Sequence, residues 1–313
     1  MPVYPAAVAN ATCSAQGCAC RDRLPRYPSD LTDPQWAVLE PQVRQVMAEL
    51  TAAAGRPMTH DLRAMCDAVG YVVKNGVEWR ALPADFPPWD AVYAFWQRWN
   101  ARGLPCELVT GLRGKLRQHQ GRKPGPTACS VDSQIVKAHD TVGKDSRGYH
   151  GGKKINGRGR HLAVDAEGWL LALVVTAASV SDKAGGKLLL IRLYDAITTI
   201  KVLWADSGYN GKPFEKWARA IAGITVEIVQ RNSPHSFQVV RRRWVIERTF
   251  GWLMRWRRLV RDYERTTASA EAMIWWATVF IMTRRLTRYH NSQPPIGRWG
   301  AERPPPAPQP QPA

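Results

Sequence analysis

From Ala128 onward the hydrophobic pattern changes period several times, and the order of those changes restricts the fold more than composition does. Three runs come first, "ACSVDSQIVKAH", "HLAVD" and "WLLALVVTAAS", and each reads as a strand. The Ala166-Glu167-Gly168 turn joins the second run to the third, so these strands form an antiparallel meander. A helical pattern covers about residues 182–196. "IKVLWAD" is then a buried strand, "KPFEKWARAIA" a helix and "TVEIVQ" a strand. An arginine-rich helix is expected over 237–262 and a last, largely apolar helix over 269–289. Strands entered through helical crossovers run parallel to their neighbours.

Strand, strand, strand, helix, strand, helix, strand, helix is the order of a ribonuclease H-like fold. The expectation is an α/β domain with a mixed five-stranded sheet and flanking helices, in which the first and fourth strands lie side by side at the centre. Upstream the period is helical. Helices are predicted from "DPQWAVLEPQVRQVMAEL", from "HDLRAMCDAVGYVVKNG" with Thr59 as a cap, from "WDAVYAFWQRWNARG", and over about 105–119. In size and order they resemble a helix-turn-helix unit. Gly and Pro in "GRKPGPTACS" place a boundary near residue 122. The division is thus a disordered leader over 1–26, a small all-α DNA-binding domain over 27–121, the catalytic domain over 122–290 and a disordered Pro-rich tail over 291–313. A catalytic domain so divided should survive deletion of residues 1–120.

Charge narrows the partner. Lys and Arg number 44 against 26 acids, a net charge of +18, and the excess is mostly arginine. So basic a chain meets nucleic acid, because each phosphate contact releases counterions. No run reaches the roughly 18 apolar residues of a membrane span. The N-terminus has no charged segment followed by an apolar core, so no signal peptide is expected, and the place of work is the cytoplasm, at the nucleoid. Cys13, Cys18 and Cys20 cluster near the start, but no fourth zinc ligand follows at suitable spacing.

Within this basic chain three acids stand out by position. Asp132 lies on the first strand in "VDSQ", and Asp206 ends the fourth in "WADSGYNG". Glu247 is the only acid in "RRRWVIERTFGWLMRWRRL", among seven arginines and three tryptophans. Plotted at about 100° per residue, an apolar stripe of Val245, Ile246, Leu253 and Trp256 points one way and Glu247 the other. Arg243 and Arg258 then flank Glu247, and Gly251 leaves space beside it. An Arg243–Glu247 pair at i,i+4 is the simpler reading of that helix, worth about 0.3–0.5 kcal/mol. The sheet order favours a second one. The adjacent central strands bring Asp132 and Asp206 together, and the helix lays Glu247 over them. Three hard oxygen donors suit Mg²⁺, as two ions, with Mn²⁺ able to substitute, and such a site displaces phosphoryl groups in line.

These blocks, in this order, resemble a DDE transposase of the insertion-sequence-five family, within the ribonuclease H-like transposase superfamily. The resemblance rests on "YPSDLTDPQWAVLEP", "GVEWRALPADFPPW", "VDSQIVKA", "GRGRHLAVDAEGWLLALVV", "VLWADSGYNG" and "RRWVIERTFGWLMRWRRLVRDYE", and covers about residues 27–287. It implies that Asp132, Asp206 and Glu247 are the catalytic, metal-binding acids. It also implies binding of terminal inverted repeats by an oligomer, a dimer on DNA, with cleavage and strand transfer into target DNA. The family's helix motif of Tyr, Arg, Glu and Lys matches at Arg243 and Glu247. Val240 and Met254 replace the Tyr and the Lys, and Arg255 is the neighbour able to make the lysine's phosphate contact. A structure-specific nuclease and a catalytically inactive, transposase-derived DNA-binding protein are the alternatives.

Candidate DNA contacts follow from charge and placement. They are Arg243, Arg248, Arg255 and Arg258 on the arginine helix, and Lys153, Lys154, Arg158 and Arg160 in a glycine-rich loop. Arg98 and Arg102, with Arg80 and Gln97, are the candidates in the helical domain. His150 and His161 are expected to touch phosphate or backbone. Asp165 reads as a turn residue and Asp182 as a helix cap.

Overall fold

All five expected strands form, and the first pairs with the fourth. The computed structural model describes residues 23–54, 59–229 and 241–291. β1 (Ala128–Lys137) is followed by a short strand the pattern did not announce, β2 (Gly148–His150), and then by β3 (Ile155–Asp165). β3 runs antiparallel to β1 along one edge. Its other edge takes β2 at its start and β4 (Leu170–Ala177) further along, both antiparallel. β5 (Val202–Ala205) joins β1 in parallel, and β6 (Thr225–Ile228) joins β5 in parallel, giving the order β2-β3-β1-β5-β6. Ser130 stands level with Trp204, so Asp132 and Asp206 end up at the same height on neighbouring strands.

Nine helices surround the sheet among the described residues. They are α1 (Asp33–Ala54), α2 (Leu62–Asn75), α3 (Trp89–Ala101), α4 (Leu104–His119), α5 (Asp182–Ala196), α6 (Lys212–Ala222), α7 (Arg241–Leu253), α8 (Arg257–Val260) and α9 (Thr267–Asn291). Local chemistry sets their ends. Asp61, and not Thr59, caps α2 by accepting from the Ala64 amide, and Gly76 closes it in the left-handed conformation at φ 73°. No described helix is long and apolar enough to cross a membrane.

The strands bury both faces. On one face Val131, Ala163, Leu171 and Val174 pack against Leu189, Leu193, Phe214 and Ala218 of α5 and α6. On the other, Leu162, Val164, Leu170 and Leu173 share a core with α7–α9 and with the N-terminal helices, through Val69, Trp99, Leu112 and Leu116. The composition break near residue 122 is therefore not a break in packing: α1–α4 close one face of the sheet. Buried arginines fasten them there. Arg117 of α4 binds the fully buried Asp165 carboxylate at 2.7 Å, and Arg113 donates to the Leu170 carbonyl at 2.9 Å.

Two further expectations change. The leader was expected to be disordered up to residue 26, yet Arg23 lies buried against Asp30, Asp67 and Asp85 at 2.7, 3.3 and 3.6 Å. The carboxylates fix the arginine, and burial beside Asp30 raises the Asp67 carboxyl to about 7. Residues 1–22, with Cys13, Cys18 and Cys20, and the tail from 292 lie outside the described residues. The arginine helix is also not continuous: it stops at Leu253, and α8 starts only at Arg257. The break turns Trp256 into the core, where it stacks on Phe280.

Deleting residues 1–120 should therefore leave no folded remainder, because it strips the cover from Leu162, Val164, Leu170 and Leu173. The expected product is insoluble, or melts without cooperativity by circular dichroism. A sharp melt near that of the full chain would restore the independent catalytic domain. Within the full chain, Arg117→Ala leaves Asp165 charged and unpaired, and should cost about 3 kcal/mol or more in urea unfolding.

Candidate active site

At the centre of the sheet, β1 and β5 present their acids toward α7. Asp132 is largely buried on β1 and accepts from the Ser133 amide at 2.7 Å. Asp206 follows β5 directly and accepts from the Gly208 amide at 2.9 Å, which caps a single helical turn over residues 207–209. α7 docks through Ile246, Phe250 and Leu253 at i, i+4 and i+7; Ile246 and Leu253 are on the expected stripe, Phe250 is not, and Val260, expected there with Trp252, is exposed. Glu247 consequently faces outward, with half of its side chain exposed. Beside it a Cβ on Gly251 would meet nothing within 4 Å.

Arg243 links the acids. Its guanidinium lies 3.7 Å from Asp206 and 3.8 Å from Glu247. The simple i,i+4 pair thus exists, but as part of a cluster that reaches the sheet. Burial is the main cause that raises the Asp132 carboxyl to about 6, and the neighbouring Asp206 and Asp182 carboxylates add to it. Among the described residues no group of three Asp, Glu, His or Cys side chains stands close enough to ring a metal ion. The donors nevertheless suit a hard divalent cation, because a cation here would offset the burial of the Asp132 carboxylate and its repulsion from Asp206 and Asp182. Glu247, half exposed, is the acid free to turn inward.

A fourth acid and two buried rings adjoin the site. Ser181 caps α5 through the Ala184 amide, which leaves Asp182 to reach the Ser133 hydroxyl at 2.5 Å. Tyr209 is fully buried, its hydroxyl meets no hydrogen-bond partner among the described residues, and burial and then Asp182, Asp132 and Asp206 push its pKa well up. The ring fits because residue 186 is glycine: a Cβ there would lie 2.7 Å from Tyr209 Cε1. His161 is fully buried too, 3.1 Å from the Thr176 hydroxyl, so it cannot touch phosphate. His150 makes the backbone contact expected of it, accepting from the Lys153 amide. Two polar residues in succession in "VSDK" signal more than a cap, since one side chain suffices for that.

The basic residues divide by what holds them. Arg243 joins the acids. Lys153 and Lys154 sit exposed at the turn between β2 and β3, and Arg98 is exposed over the Phe95 ring. Arg102 is tied to Glu49 at 2.6 Å and Glu107 at 2.7 Å on the surface. Arg248 donates to the Glu167 carbonyl at 2.7 Å, and Arg255 lies beyond the end of α7. Arg158, Arg160 and Arg258 are not available to DNA. Arg158 is enclosed and binds Asp262, the Glu264 and Arg265 carbonyls and Ser146. Arg160 donates to the Leu259 carbonyl at 2.6 Å, and Arg258 pairs with Glu264 at 2.7 Å. The "GRGR" segment is strand, not loop: its arginines share one face and fasten residues 259–266 to β3. Its glycines admit close neighbours; a Cβ on Gly157 would meet the Val136 carbonyl.

A ribonuclease H-like sheet that carries acids on β1, at the end of β5 and on the helix after β6 defines a class of phosphoryl-transfer domains. Residues 123–282 match the transposase DDE domain, and residues 31–109 match a putative transposase of the IS4/5 family. The chain belongs to the DDE transposases of the IS4/5 family. It is also similar to a putative transposase for insertion sequence element IS402 from Burkholderia cepacia, 35% identical over 122 residues. That stretch is 35% of this chain and 54% of the relative, so the chain spans about half the length of the relative it matches.

The raised Asp132 carboxyl gives a test without activity. In the unfolded chain it titrates near the ordinary value of about 3.9. The folded protein holds the proton more tightly, so the penalty of ionising Asp132 is absent below about pH 4, grows to about pH 6 and is full above that. With chelator present, Asp132→Asn should be more stable than the parent at about pH 7.5, on the order of 2 kcal/mol, with the gap closing at about pH 4. Equal stabilities at both pH values would contradict the site's electrostatics.

Proposed function

We propose that this chain is the transposase of a bacterial insertion element: it binds the element's terminal inverted repeats, cuts the DNA there and joins the freed 3′ ends to target DNA. The observation that carries this reading is Arg243 between Asp206 and Glu247, with Asp132 on the adjacent strand. That arginine ties the acid after β5 to the acid on α7, inside a chain of net charge +18.

Asp132, Asp206 and Glu247 would hold divalent metal, two Mg²⁺ ions or Mn²⁺ in their place. That metal supplies charge for the attacking and departing oxygens of the phosphodiester. The chain's own groups do the rest. Arg243 neutralises the acids in the metal-free protein and is placed to turn to the scissile phosphate once they are otherwise engaged. The gap at Gly251 admits the DNA strand beside Glu247. Asp182 and Tyr209 hold the base of the site, with Ser133 fixing Asp182. Lys153 and Lys154 reach phosphates from the β2–β3 turn, and Arg98 with Arg80 reaches them from the N-terminal helices. Two copies on paired ends would hold both termini for joining.

Glu247→Gln keeps the size and the exposed position but removes the charge. Cleavage and strand transfer on element-end DNA in Mg²⁺ should fall by at least about a thousandfold. End binding should stay within about threefold and the melting temperature should not move, because an exposed i,i+4 pair contributes little. Retained transfer would remove Glu247 from the catalytic set, and an unchanged protein that transfers no strand would leave the nuclease and DNA-binding readings standing.

A further inference from the structure

A second polar cavity opens where α2, the α7–α8 break and the last turns of α9 meet, with a volume of about 490 Å³. Its walls carry six cations, Lys74, Arg248, Arg255, Arg284, Arg285 and Arg288, against a single acid, Glu167. That acid is already held by Arg122 at 2.9 Å. The cations gather around indoles. The Lys74 ammonium lies 5.1 Å and the Arg284 guanidinium 5.6 Å from the Trp256 ring centre, and Arg248 lies 4.8 Å from Trp252. They act on one another too: burial and then Arg284 and Arg255 lower the Lys74 pKa, and burial and then Arg288 lower that of Arg284.

Helix ends explain part of this gathering. Lys74 lies in the last turn of α2, and residues 284–288 in the last turns of α9, where cations meet the negative end of the helix dipole. They do not explain Arg248 and Arg255, which come from α7 and the break after it, nor a cavity kept open between them. Like charges on a concave, partly desolvated wall raise each other's energy, and an entering anion lowers it. Arginine forks and exposed ring faces suit a phosphate with its sugar and base better than a bare carboxylate. The volume is that of a ligand site.

We propose that this cavity is a second DNA site, which takes a backbone phosphodiester at a point separate from the bond being cut. The proposal rests on the reading of the chain as a DNA-acting transposase. α7 would then serve two sites, Glu247 turning to the acids and its neighbour Arg248 to the cavity.

The test uses the full chain with Asp132→Asn, so that no DNA is consumed, and adds Lys74→Gln with Arg284→Gln. Anisotropy of a fluorescein-labelled duplex of random sequence is followed over a potassium chloride series. The pair of changes should weaken binding about tenfold or more at low salt and lower the salt slope by about two. An unchanged slope in a variant that melts like its parent overturns the proposal. Should the variant fail to fold, amine labelling of the unchanged chain decides: saturating duplex should protect Lys74 far more than Lys216, exposed on α6. Equal labelling of Lys74 with and without DNA overturns the proposal as well. A parent that binds no duplex at all sinks the transposase reading itself, whereas a binding parent with an indifferent Lys74 sinks only the cavity.

Discussion

The Asp165 carboxylate, buried at the turn between β3 and β4, is the constraint on which the remaining geometry hangs. One oxygen takes Arg117 of α4 at 2.7 Å, and the other accepts the Glu167 and Trp169 amides at 2.9 Å. The turn so fixed offers its carbonyls to α7: Glu167 to Arg248 at 2.7 Å and Gly168 to Thr249 at 2.8 Å. Gly168, at φ 85°, cannot be replaced easily, since a Cβ there would press on the Thr249 hydroxyl at 2.8 Å. One ion pair thus ties the N-terminal helices to the sheet and sets the height at which α7 carries Glu247. A buried pair of this kind is costly to break, because the survivor is left charged in a poorly solvated place.

α7 separates two opposite electrostatic environments. On one side burial, and then the neighbouring carboxylates, raise Asp132 to about 6, with Arg243 as their counter-charge. On the other, burial, and then neighbouring cations, lower the pKa of Lys74 and of Arg284. Each cluster raises its own energy in the absence of a partner of opposite sign. The two partners would be the two components of the proposed chemistry, divalent metal and polyanionic DNA.

The sheet was legible in the sequence because period-two runs and crossover helices admit few topologies, and the parallel pairing of β1 with β5 followed from their order. The adjacency of the strands that carry Asp132 and lead to Asp206 was legible for the same reason. The arginines were harder. Arg158 and Arg160 alternate with glycines, which reads as a flexible basic loop, yet strand geometry turns both side chains onto the segment after α8. Arg258 seemed to share a face with Glu247 only because nothing in "LMRWRR" forbids continuing the helix; the demand of Trp256 for the core breaks it. Asp182 and Tyr209 were hidden by local readings that long-range packing overrides, as was Asp165, whose turn role is real but secondary to its pairing with Arg117. Charge alone does not tell an arginine that holds the protein together from one that holds a ligand.

The central claim is that three distant segments together hold the divalent metal. Iron-mediated cleavage tests it most directly: Fe²⁺ replaces the native ion, and ascorbate with peroxide generates radicals that cut the chain beside the bound metal. The account predicts cuts clustered near residues 132, 206 and 247, suppressed by excess Mg²⁺ and lost in Asp206→Asn. Cuts confined to other segments, or a pattern indifferent to Mg²⁺ and to that substitution, would contradict it.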